Sequence, residues 1–341
     1  MTRIRDEFDV RSRPSKKGTR PRTKTRPEHA DAVTGFVTGV DRGRYTLLVD
    51  EDLPTERRVI AMKARELTRQ RVVCGDRVDI VGDATGEPGS LARIVRIQER
   101  RSVLRRTADD TDPYERIIVA GADQLVIVTA LADPEPRTRM IDRCVVAAYD
   151  AGLDVLLCLT KADLASPDEL IDLYRPLGVE IVVTQQEPDG GLRTDEVLAL
   201  LSGRVSVLVG HSGVGKSTLV NALVPDALRA VGVVNDVTGR GRHTSTSAVA
   251  LRLPGRAGWV IDTPGVRSFG LAHVEVSDVV AAFDDLAEVA LECPRGCVHT
   301  EAAPDCALDA WVAHAPEDDK DARAARLESL RRLITARTAV G

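Results

Sequence analysis

Aromatic residues are scarce in this 341-residue chain: four Phe, four Tyr and two Trp, 3% of the total. That scarcity argues against a surface that stacks successive bases of a single strand on rings. No apolar run approaches the roughly 20 residues needed to span a bilayer. The charged N-terminus has no apolar segment of the kind a secretory signal carries. The expected compartment is therefore the cytoplasm, with no membrane partner. Cysteines number only six, and disulfides are disfavoured in that compartment. Cys74, Cys144 and Cys158 lie in apolar surroundings and read as buried, reduced and inert.

What is present fits a globular chain long enough for two or three domains, with 43% hydrophobic and 29% charged residues. The net charge of −5 conceals an asymmetry. Residues 1–30 hold ten Lys or Arg against four Asp or Glu, a net of +6, which leaves −11 on the remainder. A basic arm on an acidic body points to an anionic polymer as partner, RNA first, with a merely solubilising tail as the alternative. The arm, 1–31, lacks periodicity and is expected to be disordered when free.

Five short β-type runs follow in 32–100: Val33–Val40, Arg44–Val49, Arg57–Met62, Asp76–Val81 and Leu91–Ile97. They predict a small barrel, an OB-fold, which with so few aromatics is expected to dock on structured RNA or protein. Residues 101–116 read as a polar linker. From 117 to 274, strands alternate with helices, which implies a parallel sheet covered on both faces, with ligands at the strand C-termini. From 275 to 341 the chain is helical, closing on an amphipathic helix whose stripe is Ala325, Leu327, Leu330, Leu333 and Ile334.

The chemistry sits at strand ends. Gly210-His-Ser212-Gly213-Val214-Gly215-Lys216-Ser217-Thr218 is a G-x-x-x-x-G-K-[ST] phosphate loop between the strand Arg204–Val209 and a helix. Its glycines turn backbone N–H groups toward a phosphate at the helix N-terminus, Lys216 reaches the outer phosphates, and Ser217 can ligate Mg²⁺. His211 reads as structural. Thr160-Lys161-Ala162-Asp163 follows another strand. The Asp163 carboxylate can accept both N1–H and N2–H₂ of guanine, a donor pair adenine lacks. Thr160 stands where Asn is usual and can make fewer bonds to the phosphate loop. Thr184 ends the next strand, at the place of a further base-contacting motif. Asp262-Thr-Pro-Gly265 can hold Mg²⁺ through water and sense a γ-phosphate. Between lies Gly239–Thr246, where Thr244 or Thr246 completes Mg²⁺ coordination. Val266 occupies the usual water-orienting position and cannot polarise water. His243 is the nearest substitute, the alternatives being partner contact or packing. Base reader, phosphate loop and switches thus run in the order of a circularly permuted GTPase, with Mg²⁺ and GTP or GDP as ligands.

Cys293, Cys297, His299 and Cys306 make a Cys₃His set within 14 residues, which suits one tetrahedral Zn²⁺. All four positions are filled by the chain, so the ion is expected to be structural.

A barrel, a permuted GTPase and a Cys-x-His loop resemble together the ribosome small-subunit-dependent GTPases, the RsgA family, over residues 32–335. Ile141-Asp142-Arg143, Gly210–Thr218, Gly241–Thr244 and Asp262–Arg267 carry the likeness. The resemblance implies an OB-fold that docks on 16S rRNA, hydrolysis of GTP stimulated by the 30S subunit, and release afterwards. It also favours His243 as the residue that positions water. A monomer is expected. Here three residues separate the first two cysteines and six follow the histidine, where the family has four and five; the basic arm is an extension. The competing reading is a GTP-gated RNA-binding regulator of translation in which hydrolysis is incidental. A metabolic P-loop kinase would need a lid and an acceptor site that are not found.

Overall fold

The computed structural model describes residues 29–67, 69–107, 114–187, 190–225, 248–263 and 269–338. The basic arm up to residue 28 and Gly239–Thr246 lie outside the described residues.

Strands β1 (Val33–Asp41), β2 (Arg44–Val49), β3 (Arg57–Lys63), β4 (Arg77–Gly82) and β5 (Ala92–Ile97) form the expected barrel. They run in the order β1-β2-β3-β5-β4, and β4 returns to pair with β1 through Val33 and Ile80. Closure leaves no free edge. Val37, Leu47, Val49, Val59, Ala61, Val78, Ile80 and Ile94 are fully buried inside it. Short β-type runs broken by turn residues are what made these strands readable.

The segment read as a polar linker contributes a strand. Val103–Arg106 (β6) pairs antiparallel with Arg116–Ala120 (β7). Only Leu104 of β6 is buried, so flanking arginines hid a strand with a single core residue.

The second part of the sheet has the order β10-β9-β8-β11-β13-β12. These strands are β8 (Gln124–Ala130), β9 (Asp154–Thr160), β10 (Glu180–Val183), β11 (Arg204–Val209), β12 (Val249–Arg252) and β13 (Gly258–Asp262). β8–β11 and β13 are parallel, as βαβ units require, and β12 runs antiparallel to β13. Alternation sorts the strand residues by face. Leu125, Ile127, Leu157 and Leu159 lie in one core with helix α1 (Thr138–Asp150) and the C-terminal helices. Val126, Val128, Leu156 and Cys158 pack in another, with α3 (Asp195–Leu201) and α4 (Lys216–Leu223). Helix α2 (Asp168–Tyr174) adds Leu170 and Tyr174 to the first. Helices α5 (Val276–Ala281), α6 (Asp284–Ala290), α7 (Ala307–Ala313) and α8 (Lys320–Thr338) complete the chain. On α8 the expected stripe is buried at Leu327, Leu330, Leu333 and Ile334, while Ala325 is half-buried.

Barrel and α/β layer share one sheet, because β1 pairs with β12 at Gly39 and Val249. The joint is reinforced by Phe36 against Trp259, with ring centroids 5.0 Å apart. Trp259 Nε1 donates to Glu51 Oε1 at 2.7 Å, and Arg252 Nη1 to Glu56 Oε2 at 2.6 Å. Gly75 sits at the same seam with φ +90°; a Cβ there would lie 2.0 Å from the Ala120 carbonyl oxygen, inside hard contact. Gly75→Ala is therefore expected to destabilise the protein by about 2 kcal/mol or more. Urea unfolding measures this, and an unchanged midpoint would show that the seam relaxes freely.

Candidate nucleotide site and metal centre

Four strand ends converge on one mouth. β11 leads into the phosphate loop, and the loop into α4. Gly210 has no room for a side chain, since a Cβ would lie 2.6 Å from the Val128 carbonyl oxygen on β8. Gly213 and Gly215 both take positive φ, +86° and +88°, which L side chains rarely adopt. Gly215 forms the N-cap of α4, so the helix begins at Lys216. Ser217 and Thr218 are exposed in its first turn, and Val214 is buried beneath the loop. Loop and helix together present unpaired backbone N–H groups and the positive end of the helix dipole to one point.

Lys216 pairs with Asp262 at the end of the adjacent strand β13. Thr263, the next residue, is buried and donates its hydroxyl to the Leu208 carbonyl at 2.7 Å. The lysine of the phosphate loop and the acid of Asp262-Thr-Pro-Gly are thus side by side. Gly265 lies outside the described residues, as do His243, Thr244 and Thr246.

β9 brings the predicted base reader, Thr160-Lys161-Ala162-Asp163, to the same mouth. Thr160 is buried, and its hydroxyl donates to the Val214 carbonyl at 2.6 Å. The threonine therefore tethers the phosphate loop with one strong bond in place of the several an Asn can make. Lys161 takes φ +60° and its ammonium bonds the Asp133 carbonyl. Asp163 is exposed and its Oδ1 accepts from the Gln186 N–H at 3.2 Å. Thr184 is buried one residue past β10, with its hydroxyl against the Cys158 thiol. Sequence reading missed the β8–α1 loop. Asp133 supplies the carbonyl for Lys161, and Pro134 would stand 3.5 Å from a Cβ on Gly213. Backbone carbonyls leave no signature in a sequence, and Pro134-Glu-Pro136 pointed only to a helix start.

The second centre lies between α6 and α7. The ligand atoms of Cys293, Cys297, His299 and Cys306 all fall within 4.8 Å of one another. Cys293 Sγ is 3.9 Å from Cys306 Sγ and 3.6 Å from His299 Nδ1, and Cys306 Sγ is 3.8 Å from that nitrogen. A tetrahedron with sulfur arms of about 2.3 Å has edges of about 3.6–3.8 Å, so these residues can hold a metal ion. The Ala307 N–H points at Cys293 Sγ from 3.3 Å. Burial and the neighbouring thiols push the Cys306 thiol up to about 11. Burial, and then the Arg331 charge, hold His299 below its usual value, which keeps the ring neutral for ligation. Arg331 of α8 clasps the loop by donating to the His299 carbonyl at 3.2 Å and to Asp309 at 2.8 Å. Among the described residues, no helix is long and apolar enough to cross a membrane.

The family described as RsgA GTPase matches residues 97–272. The small ribosomal subunit biogenesis GTPase RsgA of Pseudomonas aeruginosa is 43% identical over 216 residues, 61% of this chain and 62% of that protein's length. Its counterpart in Chlorobaculum parvum is 34% identical over 291 residues, 83% of this chain and 92% of the relative. The crystal structure of YjeQ from Thermotoga maritima superposes with a TM-score of 0.61 at 26% identity, covering 88% of this chain and 98% of that one. YloQ, titled a circularly permuted GTPase, matches in fold with a TM-score of 0.59 at 21% identity, over 89% and 96% of the two chains.

The Cys₃His geometry has its own test. Elemental analysis of the purified protein is expected to find about one divalent metal per chain, lost on Cys293→Ser together with part of the thermal stability. Metal-free protein with an unchanged melting temperature would contradict it.

Proposed function

This chain belongs to the RsgA GTPase family, and on that footing we propose that it hydrolyses GTP to GDP and phosphate during late maturation of the small ribosomal subunit. The observation that carries the reading is the bond from Thr160, the first residue of the Thr-Lys-x-Asp run, to the Val214 carbonyl of the phosphate loop. Asp163 would read guanine, and Thr184 would add a contact to the base. Gly210, Ser212, Gly213, Val214, Gly215, Ser217 and Thr218 line the phosphate cradle, and Lys216 neutralises the outer phosphates. Ser217, Asp262 and one of Thr244 and Thr246 would hold Mg²⁺, which when bound spreads the charge building on the phosphate oxygens. That donor set of hydroxyls and a carboxylate suits a hard cation. Gly265 would report the γ-phosphate, and His243 would orient the attacking water.

The Cys₃His centre takes one structural Zn²⁺, because four chain ligands leave no coordination position for water. We assign 1–31 as the basic extension, 32–100 as the barrel that meets 16S rRNA, 101–116 as the connector, 117–274 as the GTPase and 275–341 as the zinc lobe. The expected form is a cytoplasmic monomer that associates with the 30S subunit and leaves it after hydrolysis.

The test is GTP turnover with and without purified 30S subunits. Subunits are expected to raise kcat; Lys216→Ala should abolish tight nucleotide binding, and His243→Ala should keep binding while lowering stimulated kcat by about 10²-fold. Turnover that subunits leave unchanged would move the reading to a GTP-gated RNA-binding regulator.

A further inference from the structure

Of the Ile141-Asp142-Arg143 signature, Ile141 lines a small cavity with His211 and Val214 of the phosphate loop, while Asp142 and Arg143 bond toward the C-terminal helices. Arg143 donates Nε and Nη2 to one acceptor, the Phe269 carbonyl, at 2.8 and 2.6 Å. Its third nitrogen, Nη1, donates to the Ala336 carbonyl of α8 at 2.9 Å. Phe269 comes six residues after Thr263 in the chain. One guanidinium therefore joins the exit of the Asp262-Thr-Pro-Gly stretch to the last turn of the closing helix.

The neighbouring contacts give that joint a direction. Phe269, Leu271 and Val274 are buried against the same core as α1. Thr107 N–H donates to the Gly270 carbonyl at 3.2 Å. His273 Nε2 lies 3.4 Å from Asp150 Oδ2, at the end of α1, and Arg337 Nε donates to the Val274 carbonyl at 2.6 Å. The contacts at Phe269 and His273 fall seven residues apart on α1, a rise of about 10 Å from Arg143 to Asp150, and between them the chain turns at Leu271–Val274 through the Val274 N–H to Leu271 carbonyl bond of 3.1 Å. Residues 269–274 thus run along α1 as a strap fixed at both ends, with α8 tied to each end. The adjoining pair has a different job. Asp142 is buried and accepts from Arg332 Nε at 3.2 Å, which binds α8 to α1 without touching the strap.

We propose that Arg143 is a positioning residue that couples the nucleotide site to the C-terminal lobe, by holding the Phe269 carbonyl and the Ala336 carbonyl on one side chain. This rests on the GTP reading above. A shift of Asp262-Thr263 on nucleotide exchange displaces Phe269, and Arg143 passes the displacement to α8, whose Arg331 clasps the Cys₃His loop. An unbranched apolar side chain at 143 keeps the packing of the stem but leaves both carbonyls unbonded.

The experiment compares amide hydrogen exchange in residues 330–338 with GDP and with a non-hydrolysable GTP analogue bound. GTP affinity and basal turnover are measured on the same samples. In wild type, exchange rates there are expected to differ between the two nucleotides by about threefold or more. In Arg143→Met that difference should vanish, while basal kcat and KM for GTP stay within about twofold. Arg143→Lys should restore part of it. Arg332→Met should lower the unfolding midpoint and keep the nucleotide difference. A difference that persists in Arg143→Met overturns the proposal, as does one lost equally in Arg332→Met. So does its absence from wild type that binds and hydrolyses GTP, and in that case the GTPase reading stands. Wild type that binds no GTP overturns both.

Discussion

A single hydrogen bond, from the Thr160 hydroxyl to the Val214 carbonyl, holds the two halves of the nucleotide site in register. Thr160 ends β9 and Val214 sits inside the loop that follows β11, with β8 between the two strands. The loop can come that close only because Gly210 lies flush against the Val128 carbonyl and Gly215 turns the chain with positive φ. Both partners are buried, so a missing donor would leave the Val214 carbonyl without its bond in a place water does not easily reach. A parallel sheet fixes which strand ends are neighbours and is indifferent to the order in which the chain visits them. That is why Thr160, the start of the proposed base reader, can precede the phosphate loop by 50 residues and still meet it.

Permutation changes what leaves the site. The stretch after the phosphate helix re-enters the described structure at β12, which pairs with barrel strand β1. The stretch after Asp262-Thr263 re-enters at Phe269, under Arg143. The first described residues after each exit therefore meet different parts of the structure, the barrel at β1 and the closing helix through Arg143. The seams are built differently. The barrel seam combines one strand pairing, the Phe36–Trp259 contact and Arg252 among the acids of the β2–β3 loop. The C-terminal seam is apolar at Leu327, Leu330 and Leu333, with buried Asp142 paired to Arg332. Burial pushes the Asp142 carboxyl above its usual range, and the Arg332 guanidinium opposes this. Such a pair contributes orientation more than stability, because desolvation offsets much of the attraction.

Much of this was legible beforehand, for identifiable reasons. Barrel strands announced themselves by short β-type runs broken by turn residues, and the α/β strands by short apolar runs ending in Thr-Lys-x-Asp or Gly-x-x-x-x-Gly-Lys. The cysteine spacing named a metal set before any distance was known. What stayed hidden had weak or no side-chain signal. β6 has a single buried residue, Leu104, among arginines, and β12 is four residues long. The carbonyls of Val214, Asp133, Phe269 and Ala336 hold the site and its strap together through backbone atoms, which any residue supplies. Thr160 was read as a weaker tether than Asn; it makes one short bond to the loop.

The account rests most directly on guanine being read by Asp163 at this mouth. Xanthine carries a carbonyl where guanine carries its amino group, so an amide at 163 can donate to it and a carboxylate cannot. Nucleotide affinities of wild type and Asp163→Asn for GTP and XTP decide the matter. Wild type is expected to prefer GTP by on the order of 10²-fold or more, and the variant to lose GTP and gain XTP. Equal preference in the two proteins would contradict the assignment of the base reader and, with it, the permuted order of the site.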